Sequence, residues 1–207
     1  MIKLAIAAAL SAALAGQAPP PVTPGDLSPP VATTDFVPVA IDTSLGRIVV
    51  ALDRTHAPKT TANFLHYVDA HRLDGETIYR AMHVPGGKAD DGLIQGGVRS
   101  DSRKLYPPIA HEPTNQTGIK NIAGAISMAN GGPGTARADF FILTRDMPAL
   151  DASAGDPGFA AFGHVVEGMD VVKKILAAPV SPTMGEGAMK GQMLDPAVKI
   201  IKVSRVN

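Results

Sequence analysis

Phe140-Phe141-Ile142-Leu143-Thr144 is the most apolar strand candidate in the chain, a run of aromatic and branched residues suited to a pleated, covered surface. Working back from it, short runs of the same kind recur between turn signals at residues 124–129, 93–97 and 77–82. Farther back, residues 39–43 and 46–52 flank a Ser44-Leu45-Gly46 turn. Forward of it come residues 159–166 and 198–203. Two stretches have a helical period instead. Pro58 suits a first helical turn. Thr61, Phe64, Leu65 and Val68 then share one face, with an end expected near residues 71–73. Gly168-Met169-Asp170 opens the second helix, with Val171, Val172, Ile175 and Leu176 inward. About eight short strands and two helices predict a mostly β domain, a barrel or a sandwich rather than a parallel sheet.

The chain has 207 residues, enough for one domain with an appendage. Hydrophobic residues make up 45% and charged ones 18%, which supports a core and excludes global disorder. Lys+Arg and Asp+Glu number 19 each, and this balance argues against a general nucleic-acid binder. Cysteine is absent, which removes thiol nucleophiles, disulfides and Cys-based zinc sites together.

The N-terminus reads as processing signal rather than fold. Lys3 gives residues 1–18 a positive start, residues 4–14 are apolar except Ser11, and Ala13-Leu14-Ala15 or Gly16-Gln17-Ala18 offers a cleavage site. The apolar run is too short to span a bilayer, so no membrane span is expected after cleavage. Residues 19–37 hold Pro19, Pro20, Pro21, Pro24, Pro29 and Pro30 and read as an extended tether. The folded domain is expected over 38–207, exported, to a bacterial periplasm or secreted outright.

Seven segments then follow in one order: Leu45-Gly46-Arg47-Ile48-Val49, Ala57-Pro58-Lys59-Thr60-Thr61-Ala62-Asn63-Phe64, Ile78-Tyr79-Arg80, Gln95-Gly96-Gly97, Ser127-Met128-Ala129-Asn130, Asp139-Phe140-Phe141-Ile142 and Phe162-Gly163-His164-Val165-Val166-Glu167-Gly168-Met169. Together they resemble the cyclophilin family of peptidyl-prolyl isomerases. The resemblance implies a closed eight-stranded antiparallel β-barrel capped by two α-helices. It implies partners that are proline-containing peptides and unfolded protein chains, with no cofactor, no metal and no nucleic acid. Nothing signals an oligomer, so a monomer is expected.

The chemistry implied needs no nucleophile. Amide resonance sets a barrier of about 18–20 kcal/mol to rotation of an X–Pro bond, and uncatalysed exchange takes roughly tens of seconds. Millisecond turnover needs about 10⁴-fold acceleration, on the order of 5–6 kcal/mol. In the twisted transition state the prolyl nitrogen is pyramidal and its lone pair is free. A donor aimed at that lone pair binds the twisted form more strongly than the planar one, and only such differential binding accelerates the step. By resemblance, Arg80 is that donor, and Gln95 orients it and contacts substrate backbone. Phe141 is the floor of the proline pocket, Leu93 and Met128 line it, and Leu150 and Phe159 form its wall. Ala129 and Asn130 fall where the family binds peptide backbone through main-chain groups.

Three departures from the family pattern stand out. Asp139 occupies a position before the Phe-Phe pair that is usually glutamine, and its carboxylate is expected to pair with Arg80 or Arg137. An Arg80 pair would compete with substrate, which keeps open a second reading, a catalytically weak peptide-binding module or holdase. Fourteen residues separate Arg80 from Gln95, an extension over residues 82–92. Ala149 stands near a common tryptophan, so cyclosporin-type macrocycles are expected to bind poorly.

Overall fold

The computed structural model describes residues 35–99 and 101–206. The expected signal peptide and residues 19–34 of the expected tether lie outside them. The strands are β1 (Phe36–Thr43), β2 (Gly46–Asp53), β3 (Thr77–His83), β4 (Gly92–Gly97), β5 (Ala125–Met128), β6 (Phe140–Leu143), β7 (Ala161–Glu167), β8 (Val180–Ser181) and β9 (Met193–Arg205). The helices are α1 (Pro58–Asp69), α2 (Thr114–Thr117) and α3 (Met169–Leu176). Antiparallel neighbours run β1-β2-β7-β5-β6-β4-β3-β9, and β1 pairs with β9 to close the ring. This is the expected eight-stranded barrel, with two-residue β8 added outside it on β9.

The boundaries differ from the sequence reading in instructive ways. The domain starts before residue 38, because Phe36 and Val37 already pair with Asp53 and Leu52. Strand β9 runs back to Met193, five residues earlier than the apolar alternation suggested. Helix α1 stops at Asp69, short of the expected end, and His71 takes a left-handed φ of 54°. In α3, Val172, Ile175 and Leu176 are buried as expected, while Val171 is half-buried against the Gly46 turn. The extension beyond Arg80 is partly strand, since β3 reaches His83 and β4 starts at Gly92. Its tip is pinned by Asp90 on Lys173 at 2.7 Å and Asp91 on Arg145 at 3.1 Å.

The barrel interior is filled. Ile41, Ile48, Leu52, Ile78, Ile94, Ile126, Phe140 and Phe162 are each no more than 1% exposed, and each such side chain contributes about 1.5–3 kcal/mol by leaving water. Phe64 of α1 stoppers one end, edge-on to Phe140 with centroids 5.5 Å apart and tilted on Phe162 at 5.4 Å. No residue of α1 caps its own N-terminus. Glu112 does so from a distant loop, accepting from the Lys59 and Thr60 amides at 3.1 and 2.7 Å; its negative charge suits the positive end of the helix.

Because side chains alternate along a strand, the barrel wall also has an outer face. Phe140 and Ile142 of β6 point in, while Phe141 and Leu143 join Leu93 and Ala125 in a second apolar cluster outside.

Candidate active site

Register places the site. Arg80 of β3 pairs with Gln95 of β4, Gln95 with Phe141 of β6, and Phe141 with Ser127 of β5. Strands lie about 4.8 Å apart, so this row sets a cation, an amide and an aromatic ring across about 10 Å, the span of roughly three extended residues.

A β-bulge makes the row work. Ile78 opposes Gly96 and Arg80 opposes Gln95, so β3 has one extra residue, Tyr79, where β4 has none. A bulge re-aims side chains without ending the strand. Here it leaves Ile78 and Ala81 in the core while Tyr79 and Arg80 both face Gln95. The Gln-Gly-Gly motif acquires a reason at the same place. A Cβ on Gly96 would sit 2.8 Å from the Thr77 carbonyl oxygen, and one on Gly97, at φ 136°, 2.5 Å from an Asp139 carboxylate oxygen.

Arg80 is half-buried and held by two neutral amides. Its Nη1 donates to Gln95 Oε1 at 2.8 Å, and its Nε and Nη2 donate to Gln192 Oε1 at 2.9 and 2.7 Å. Among the described residues the ion-paired arginines are Arg47, Arg54, Arg103, Arg145 and Arg205. Arg80 is not one of them. Burial pulls its proton affinity below that of a free arginine, yet a guanidinium stays charged. Three of its five N–H groups are taken, leaving one on each terminal nitrogen.

Asp139 pairs with neither Arg80 nor Arg137, contrary to the sequence expectation. Its Oδ2 accepts from the Tyr79 hydroxyl and its Oδ1 from the Arg99 main-chain amide, both at 2.8 Å. These two donors reach the carboxylate before any guanidinium does. Burial lifts the Asp139 carboxyl above the usual range, against the pull of the Arg99 amide and the Tyr79 hydroxyl. Burial also raises the Tyr79 phenol, and the adjacent Asp139 charge adds to it. Tyr79 therefore keeps its proton, donates a hydrogen bond with it to Asp139, and accepts one from Gln95 Nε2 at 2.8 Å. That last bond fixes which way the Gln95 amide faces. Arg99 closes the group, its guanidinium 4.7 Å above the Tyr79 ring and its backbone at a left-handed φ of 56°.

Phe141 and Leu93, the expected apolar seat, are 4% and 6% exposed, with Leu150, Phe159, Met82, Met147 and Ala129 packed against them. Phe159 meets Phe141 edge-on at 5.4 Å. The wall is held by Asn121, whose Nδ2 donates to the Leu150 and Phe159 carbonyls at 3.1 and 3.3 Å while its Oδ1 accepts from Ser127 at 2.7 Å. Met128 does not line the seat. It pairs with Phe140, is fully buried, and belongs to the barrel interior behind the wall. The Ala129 amide is spent on the Asp139 carbonyl at 2.9 Å. Among the described residues the Asn130 main-chain amide has no partner, and its buried side-chain Nδ2 has none either. Ala149 is exposed on the short turn at Pro148–Leu150.

A cavity of about 780 Å³ adjoins the seat and shares Gln95 and the Ala129-Asn130 edge with the arginine site. Tyr79, Arg99, Asp139, Met184 and Met189 also line it, and Phe141 and Leu93 do not. Gln95 thus lies between the Phe141–Leu93 cluster and this cavity, whose wall mixes Met184, Met189, Met193 and Leu105 with Tyr79, Arg99 and Asp139. Sequence reading missed Tyr79 as a functional group, and Asn121, Arg99 and Gln192 altogether. Tyr79 lay inside a quoted motif; the other three stand in segments without one.

Comparison with known proteins agrees with this geometry. The family described as cyclophilin type peptidyl-prolyl cis-trans isomerase/CLD matches residues 38–205. Peptidyl-prolyl cis-trans isomerase A of Dickeya dadantii is 38% identical over 152 residues, 72% of this chain and 75% of that protein. Peptidyl-prolyl cis-trans isomerase cyp18 of Streptomyces antibioticus is 35% identical over 154 residues, 71% of this chain and 87% of that protein. A crystal structure of a Cryptosporidium parvum cyclophilin type isomerase shares the fold, with a TM-score of 0.66 at 19% identity over 84% of this chain and 99% of that one. The same protein crystallised in the presence of the dipeptide Ala-Pro gives 0.65, again at 19% identity, over 82% and 99%. With the family matched along the whole barrel and a guanidinium, a glutamine and a phenylalanine aligned on its outer wall, the chain belongs to the cyclophilin-type peptidyl-prolyl cis-trans isomerases.

Proposed function

We propose that this isomerase acts outside the cytoplasm, as a monomer, on X–Pro bonds of unfolded or flexible exported chains, and so assists their folding. The observation that carries the catalytic part is Arg80, a half-buried cation without a counter-ion among the described residues, one register step from Gln95 and two from Phe141. The pyrrolidine ring rests on Phe141 and Leu93. One of the two unspent Arg80 N–H groups meets the prolyl nitrogen as conjugation breaks, and no proton is transferred. Because Gln95 and Gln192 are neutral, the full charge of Arg80 is available where the lone pair develops.

The export reading is supported by the apolar run at residues 4–14 and the small residues that follow it. The binding-module alternative depended on Asp139 competing for Arg80, and Asp139 is engaged by Tyr79 and Arg99 instead. Ala149 also supports weak binding of cyclosporin-type macrocycles, since the indole contact is missing.

A protease-coupled proline-peptide assay tests the catalytic assignment. Wild type turns over, and Arg80→Ala loses on the order of 10²–10³ in kcat. Wild-type rates in Arg80→Ala would refute it. Expression in a Gram-negative host with N-terminal sequencing tests export, the expected mature start being residue 16 or 19 in the periplasmic fraction. A full-length chain in the cytoplasm would refute that part.

A further inference from the structure

We infer that Gln192 is a positioning residue of the isomerisation site, clamping the edge of the Arg80 guanidinium that Gln95 does not hold. Gln192 Oε1 accepts from Nε at 2.9 Å and Nη2 at 2.7 Å, so one oxygen spans two donors. A guanidinium offers no acceptor, so only the amide oxygen can face it, and the orientation of Gln192 is settled by chemistry.

The chain brings Gln192 there by a dedicated device. Between β8 and β9 the backbone folds back on itself, with the Met189 amide on the Glu186 carbonyl at 3.0 Å and the Gly191 amide on the Met184 carbonyl at 2.9 Å. Gly185 makes this turn possible. Its φ is 92°, and a Cβ there would lie 2.3 Å from the Met189 carbonyl oxygen. The turn then docks on β3, where the Ala81 amide donates to the Gln192 carbonyl at 3.0 Å. The clamp is thus anchored one residue from the side chain it holds.

A flexible arginine has several rotatable bonds, and its terminal N–H groups act on the prolyl nitrogen only from one direction. Gln95 alone leaves the fork free to pivot about a single hydrogen bond. Adding Gln192 removes the pivot, and because it is neutral it does so without reducing the positive charge. A carboxylate in its place would hold the fork equally well and weaken it as a donor to the lone pair.

Three variants test this in the full chain: Gln192→Met, of similar length without an acceptor, Gln192→Glu, and Gln192→Met combined with Arg80→Ala. The readouts are kcat and KM for a proline peptide, and the water exchange rate of the Arg80 Nε–H by nitrogen-15 NMR. For Gln192→Met, kcat falls roughly ten- to a hundredfold, KM stays within about twofold, and Nε–H exchange accelerates. For Gln192→Glu, Nε–H stays protected while kcat still falls. In the Arg80→Ala background Gln192→Met adds no further loss, as two members of one unit require. Unchanged kcat or unchanged Nε–H protection in a folded Gln192→Met overturns the inference, as does an additive loss in the double variant. Should Gln192→Met not fold, Gln192→Glu decides, wild-type kcat there counting against the clamp. The inference rests on the isomerase reading, but the two fail separately. A wild type without turnover defeats the latter, while Nε–H exchange still judges the former.

Discussion

Gln95 is an amide with two ends, and the protein uses both. Its oxygen faces Arg80 and its nitrogen faces Tyr79, whose proton is committed to Asp139. Rotating the amide by half a turn would set N–H against N–H. Tyr79→Phe removes one of the two partners that fix this orientation, the Arg80 N–H being the other. It leaves Gln95 Nε2 and one Asp139 oxygen unpaired, so stability falls by about 1–3 kcal/mol and kcat falls several-fold, measured by urea unfolding and the peptide assay. Asp139 adds a pH dependence whose sign follows from burial. Its native carboxyl holds a proton to higher pH than the ordinary 3.8, so between those limits the folded state binds more protons than the unfolded one. The contribution to stability therefore grows as pH falls through that window. Activity runs the other way, because a protonated Asp139 no longer draws the Tyr79 hydrogen with a full charge. The expected kcat profile has an acid limb above the usual carboxylate range. Asp139→Asn flattens the limb, and removes its share of the stability change when the two proteins are compared by urea midpoint across pH.

At the scale of elements, what was legible in the sequence and what was not divide along physical lines. Strands β4 and β6 and helix α1 announce themselves, because apolar period and turn residues are local properties. The outward placement of Phe141, Leu93, Leu150 and Phe159 agrees with the family motif. The bulge at Tyr79 leaves no mark in composition, since one extra residue in a strand alters pairing and not residue type. Met128 was misplaced because an apolar side chain beside a groove motif reads alike whether it points in or out. The expected Arg80–Asp139 pair rested on opposite charge alone and ignored nearer donors. Gln192 and Asn121 act from loops remote in sequence, where only the fold creates proximity. Asn121 yields a test of this kind. Asn121→Ala removes the side-chain donor to the Leu150 and Phe159 carbonyls and the acceptor of the Ser127 hydroxyl, at a cost of about 1–3 kcal/mol in stability. Because it loosens the wall of the seat and not the cation, KM should rise more than kcat falls, a split that steady-state kinetics reads directly.

For the molecule as a whole, the ring closed by β1 and β9 has a solid interior, so the groove lies on its outside. Phe140 and Phe141 are chain neighbours on opposite sides of that wall. Both are buried, at 1% and 4% exposure, so Phe140→Ala and Phe141→Ala are each expected to cost about 3–5 kcal/mol of stability; Phe141→Ala alone also lowers the turnover of the protein that remains folded, which thermal melts and the peptide assay measure on the two proteins. The wall thus separates selection for folding alone from selection for folding and rate together by a single peptide unit. A saturation library over β4 and β6, sorted once for soluble yield and once for rate, should lose yield at inward and outward positions alike and lose rate beyond that yield only at the outward ones. Drift at the outward positions, within what folding tolerates, could then retune the isomerase for new clients while the inward ones stay untouched, a freedom that a site buried inside the ring would lack.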